Sequence, residues 1–129
     1  MRVIDPLTHW ASIERLQAIC FPADDPVRIG PYDVWVGAFM GRDLVGFTCL
    51  TWVGVWYYSR AGVLPRATGK RLQLRMLRRA LRETQGLVVS DCTTSNPASA
   101  NTMIRAGLKP YWPAAPWGLP NSIYWRLDR

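Results

Sequence analysis

The residues whose types and spacing best suit chemistry lie between a strand and a helix: Ala61-Gly62-Val63-Leu64-Pro65-Arg66-Ala67-Thr68-Gly69-Lys70-Arg71-Leu72. A β-strand is expected to end at Val63, and a short loop punctuated by Pro65 and Gly69 to follow it. A helix is then expected from about Lys70. A helix start presents backbone N–H groups without intrahelical partners, and the helix dipole adds positive potential at the same point. Arg66, Lys70 and Arg71 bring cationic side chains to that place. The arrangement suits a phosphate or pyrophosphate group. It is not a Walker loop, because the Gly-x-x-x-x-Gly-Lys-Ser/Thr spacing is absent.

Other chemistries have little to build on. Cys20, Cys49 and Cys92 are odd in number and far apart, which provides neither a zinc knuckle nor a disulfide framework and suits a reducing compartment. His9 is the single histidine, so an N/S-ligated metal site is not expected, and a Ser-His-Asp triad would have to rest on it alone. The formal net charge is +7, which draws anionic partners without choosing among nucleic acid, acidic lipid and a phosphorylated cofactor. At 129 residues, 49% hydrophobic and 19% charged, the chain fits one globular domain over 1–129. No stretch nears the ~18 apolar residues of a membrane span. Met1-Arg2-Val3-Ile4-Asp5-Pro6 begins no signal core, so a cytoplasmic location and no membrane partner are expected.

The elements that must position the loop follow from periodicity. Val3-Ile4 reads as a short strand and the run from Asp5 or Thr8 to Cys20 as a helix, with Pro6 in its first turn. Residues 23–31 read as a loop. Asp33–Met40, Asp43–Val53 and Val55–Val63 form an antiparallel meander, turning at Gly41-Arg42 and Gly54. The helix from Lys70 to Gln85 puts Leu72, Met76, Leu77, Ala80 and Leu81 on one face and ends at Gly86. Leu87–Thr93 is a strand. A helix over Pro97–Ala106 follows, capped by Asn96 with Pro97 at its first position and Gly107 at its end. Ser122–Leu127 closes the chain as a strand. The order β-α-β-β-β-α-β-α-β predicts a mixed α/β (α+β) sheet with helices on its faces.

Two motifs stand in register on this frame. Val63-x-Pro65-Arg66-x-x-Gly69-x-Arg71, followed by a Leu-rich helix, resembles the acetyl-CoA loop of the GNAT acetyltransferases, which reads Arg/Gln-x-x-Gly-x-Gly/Ala. Asn96-Pro97-Ala98-Ser99-Ala100, then Met103-Ile104-Arg105-Ala106-Gly107-Leu108, resembles that family's Asn-x-x-Ser/Ala…Gly-Phe helix. The resemblance covers about residues 33 to 111. It implies acetyl-CoA as co-substrate and no metal, and assigns cofactor contacts to Ala61, Val63, Arg66, Ala67, Thr68, Gly69, Lys70, Arg71, Leu72, Asn96 and Ser99. Tyr57 to Pro65, Asp91-Cys92-Thr93-Thr94 and Pro116 to Trp125 further resemble short GNAT proteins of phages and prophages, a likeness that implies no particular acceptor. Two positions depart from the family. Arg71 stands at the second Gly/Ala of the loop, and its side chain is expected to swing outward, where its guanidinium would grip a phosphate. Met103 stands where many relatives carry the tyrosine that protonates the leaving thiolate, and methionine donates no proton.

The resemblance implies direct attack of a primary amine on the thioester, so a base and an acid are sought nearby. Val55–Val63 carries no Asp or Glu, which leaves Asp91 as the carboxylate candidate; a buried carboxylate bonding the Thr93-Thr94 turn would explain it equally. Tyr57, Tyr58 and Ser59 are candidate acids or orienters, with alternation placing Tyr57 and Ser59 on one sheet face and Tyr58 on the other. Tyr124 is a weaker candidate. His9 is expected at a helix surface or cap. Trp35, Trp52 and Trp56 are expected in the core, and Trp112 and Trp117 either pack or wall an acceptor cleft. Arg71, Arg75, Arg78 and Arg82 recur at i, i+4, i+7 and i+11, as a solvated face or as a track for nucleic acid. Three readings stand: an acetyltransferase for a small-molecule or protein amine, a phage Mom-like modifier of DNA or RNA bases, and an inactive GNAT-fold binding module. Monomer and homodimer fit all three.

Overall fold

The structure is a computed structural model and describes residues 1–112 and 121–129. Along the chain run β1 (Arg2–Val3), α1 (Trp10–Cys20), β2 (Val34–Met40), β3 (Asp43–Trp52), β4 (Trp56–Val63), a single 3-10 turn at Pro65–Ala67, α2 (Leu72–Arg82), β5 (Val88–Thr93), α3 (Pro97–Arg105), β6 (Lys109–Tyr111) and β7 (Ser122–Leu127). The strands form one seven-stranded sheet in the order β1-β2-β3-β4-β5-β7-β6. Every neighbouring pair is antiparallel except β4 and β5, which run parallel. It is a mixed α/β fold with three helices flanking a mostly antiparallel sheet.

Alternating strand residues feed two cores, one on each side of the sheet. On one side Met76, Leu77 and Ala80 of α2 pack with Val36, Val45, Leu50 and Tyr58, and Met103 of α3 joins them. On the other, Ile13 and Leu16 of α1 pack with Trp35, Phe47 and Cys49. The Trp35 and Phe47 rings stack with centroids 5.7 Å apart. The helix that follows the basic loop, α2, and with it α3, therefore lie on the face opposite α1.

Several expectations change in detail. The first helix starts at Trp10 rather than near Asp5 or Thr8, because the Asp5 carboxylate accepts from the Leu7 N–H and the Thr8 hydroxyl and holds a separate turn. Trp52 is not a core residue: it is 46% exposed at the end of β3, edge-on to half-buried Trp56. The order also gains a strand. β6 contains Pro110, but it is the outermost strand, where a missing N–H leaves no partner unmet. Trp117 and the segment Pro116–Pro120 lie outside the described residues.

Candidate functional site

β4 and β5 pair through only two positions, Trp56↔Val88 and Tyr57↔Val89, and diverge beyond them. The polar groups of β4 are redirected where the divergence begins. The Trp56 N–H donates to the Leu87 carbonyl beside β5 at 3.1 Å, and the Tyr58 carbonyl likewise accepts from the Ser90 hydroxyl at 2.9 Å. Past the far end of the strand, the Leu64 N–H donates to Val45 of β3 at 2.8 Å. Even-numbered residues thus face β5 at one end and β3 at the other. The switch lies between Leu50↔Tyr58 and Cys49↔Arg60, where Ser59 is an extra residue. This β-bulge leaves the N–H groups of Ala61 and Val63 turned into the gap rather than into the ladder.

The gap is a cavity of about 570 Å³. Ser59 to Val63 form one wall, Ser90 to Thr93 the other, and Asn96, Ser99 and Met103 close it on the α3 side. Thr68 and Gln73 border it on the α2 side, and Gln17 and Cys20 on the α1 side. The Cys20 thiol donates to the Val63 carbonyl at 3.4 Å. Asn96 caps α3, its side-chain oxygen accepting from the Ser99 N–H at 3.1 Å, while its residue borders the gap. Capping and a place on the cavity wall coincide in one residue.

The loop before α2 leads to this cavity but is only partly in it. Gly69 (φ 87°) and Arg71 (φ 54°) both take the left-handed conformation. No side chain caps the start of α2, and among the described residues no hydrogen bond engages the backbone N–H of Gly69, Lys70 or Arg71. Lys70 and Arg71 are exposed and Leu72 packs against the α2-side core. Ala67 is fully buried, so its side chain anchors the loop. Arg66 turns toward Asp43, 3.6 Å away, at the β2–β3 turn.

The catalytic candidates separate as alternation requires. The Tyr57 hydroxyl donates to the Asp91 carboxylate. Burial, then that bond and the nearby negative charge, push the Tyr57 phenol above its ordinary value, so it stays protonated and cannot be the base. Asp91 is exposed and lines the cavity; Tyr57 does not. Tyr58 lines it from the α2 side, receives a hydrogen bond from Gln73 Nε2 at 3.2 Å, and is pushed up to about 12 by burial. The Ser59 hydroxyl lies 2.9 Å from that of Thr51, tied to β3. Tyr124 is paired opposite Asp91 across β5 and β7. His9 precedes α1 without a side-chain cap bond and sits edge-on to Phe39. Trp112 is 63% exposed, edge-on to Tyr124.

Two features escape sequence reading. The bulge leaves no trace in residue type, since Tyr57 to Arg60 alternates plausibly in any register. Gln17 did leave one: it is a polar residue on the inward stripe of α1 with buried Ile13 and Leu16 and half-buried Cys20.

No family model matches the sequence, and no curated protein sequence matches it. Solved structures do. The ribosomal-protein-S18-alanine N-acetyltransferase of Escherichia coli superposes with TM-score 0.77 at 12% identity, covering 98% of this chain and 90% of that one. A GNAT-family acetyltransferase from Streptococcus pneumoniae gives TM-score 0.76 at 11% identity, over 99% and 98% of the two chains. The yncA protein of Salmonella typhimurium, provisionally assigned as an acetyltransferase and solved with its cofactor acetyl-CoA, gives 0.71 at 16%, over 98% and 91%. Strand order, the bulged and diverging central pair, and these superpositions converge: the chain has the fold of the GNAT acetyltransferases.

Proposed function

We propose that the protein transfers an acetyl group from acetyl-CoA to a primary amine. The observation that carries this reading is the wedge between β4 and β5, with two N–H groups turned into it beside a loop in which the N–H groups of Gly69, Lys70 and Arg71 have no partner among the described residues. The pyrophosphate would rest on Gly69 to Leu72, with Lys70 and Arg71 beside it. The pantetheine arm would run along Ala61 and Val63, whose N–H groups also suit the thioester oxygen. The amine nitrogen attacks the thioester carbon, the C–N bond forms, and the C–S bond breaks. The amine loses one proton and the thiolate takes one, giving an amide and free CoA. Asp91, the cavity's carboxylate on β5, is the base. Tyr58, protonated and on the same sheet face as Met103, supplies the thiolate proton that Met103 cannot.

The test is thiol release from acetyl-CoA across a panel of primary amines. Asp91→Asn is expected to lower kcat about 100-fold with acetyl-CoA binding unchanged. Release from no amine would overturn the reading, and an undiminished rate in the variant would remove Asp91 from it. Arg71 offers a second check. Left-handed backbone costs a non-glycine residue about 1 kcal/mol, so Arg71→Gly is expected to stabilise the free protein by about that much. The same change should weaken acetyl-CoA binding about tenfold by deleting a charge-assisted phosphate contact. Denaturation and calorimetry read the two opposite effects.

One observation favours a base-modifying reading as well. Arg71, Arg75, Arg78 and Arg82 are all exposed along α2, and a phosphate backbone would find them in one row. A salt-dependent gel shift with modified nucleosides by mass spectrometry, in place of amine acetylation, would support it.

A further inference from the structure

We infer that the acceptor amine belongs to an extended peptide, read by Gln17. The inference rests on the acetyl-transfer reading and deepens it. Gln17 is 5% exposed, and among the described residues neither its side-chain nitrogen nor its side-chain oxygen has a partner. Leaving a donor and an acceptor buried and unmet is costly, and a folded chain keeps such a pair where something else completes it. The neighbouring positions on the same stripe of α1, Ile13 and Leu16, are apolar and fully packed, so an apolar residue would fit. Gln17 borders the cavity, one turn before Cys20 and its bond to the Val63 carbonyl.

The side of the sheet identifies the occupant. Thr68, Asn96 and Ser99, which serve the cofactor reading, come from the α2 and α3 side. Gln17 comes with α1 from the opposite face. A group meeting the thioester from across the gap arrives past α1, so Gln17 meets the acceptor rather than CoA. A carboxamide needs one acceptor and one donor set side by side. The N–H and C=O of one residue in an extended chain point the same way and present that pair, as they do to a neighbouring strand. A bare alkylamine presents neither.

The probes are tetra-alanine, its analogue with an ester oxygen replacing the second residue's N–H, and ethylamine, each with acetyl-CoA. Wild-type kcat/KM is expected to be highest for tetra-alanine and about tenfold lower for the ester analogue. Gln17→Leu should cost tetra-alanine about tenfold while leaving ethylamine turnover and acetyl-CoA affinity unchanged. It should also raise the melting temperature by about 3 °C, since an apolar side chain of similar size replaces the unmet amide. A purely structural glutamine would lower it. Gln17→Met repeats the comparison should the leucine variant misfold. Equal turnover of tetra-alanine by wild type and variant, an equal loss for ethylamine, or weakened acetyl-CoA binding overturns the assignment. If no amine is acetylated, the transfer reading fails separately. Calorimetric binding of tetra-alanine to the CoA-loaded protein then decides: binding lost in Gln17→Leu sustains the peptide site, and no binding to wild type overturns it.

Discussion

Acetyl-CoA at a hundredfold excess over its Kd is expected to raise the melting temperature by about 9 °C, and Gly69→Val to remove nearly all of that rise. Ligand binding confined to the folded state contributes about 2.7 kcal/mol at that excess. For a domain of this size each kcal/mol moves the transition by about 3 to 4 °C. Gly69 holds φ at 87°, yet a Cβ there would meet nothing within 4 Å. Valine is therefore opposed by its backbone alone, at about 2 kcal/mol for a β-branched residue in left-handed space. The chain escapes by rotating the loop, which turns its N–H groups off the pyrophosphate. Differential scanning with and without acetyl-CoA separates the two effects. A shift that survives in the valine variant would place the cofactor elsewhere.

The largest effect on folding is expected from Phe47→Ala, about 4 kcal/mol of destabilisation in chemical denaturation. Phe47 is fully buried, stacks on Trp35, and lies where a Cβ on Gly62 would come within 3.1 Å of its ring. Its removal opens a void beneath the part of β4 that borders the cavity. Against the 5–15 kcal/mol typical of a domain, that is a quarter or more of the total. The acetyl-CoA shift should shrink in the same variant, because Gly62 loses the surface that holds it flat. A loss below 2 kcal/mol would mean that α1 and the sheet are packed differently.

Much of this arrangement was legible in the residues because local chemistry decides it. Asn96-Pro97 can do little but start a helix, and the α2 pattern of Met76, Leu77 and Ala80 has one buried face whatever lies opposite. The β7 limits at Ser122 and Leu127 match their sequence reading for the same reason. The loop from Val63 to Leu72 was found by type and spacing, including the anomaly at Arg71. What stayed hidden depends on partners distant in sequence. The bulge at Ser59 exists only against Cys49 and Leu50, and β6 only against β7. Trp52 looks like a core residue until it is seen at the exposed end of its strand. Gln17 was visible as a polar break in an apolar stripe, but its meaning required a cavity beside it.

The two-position contact between β4 and β5 divides the sheet into two leaves, β1 to β4 and β5 with β7 and β6. Beyond the bonds of Trp56 to Leu87, Tyr57 to Asp91 and Ser90 to Tyr58, the second leaf is fastened to the first through α2, whose end Arg129 grips by donating to the carbonyls of Leu81, Thr84 and Gly86. Such a joint behaves like the spine of a book. Few bonds join the covers beside the gap, and an occupant enters between leaves held mainly from behind.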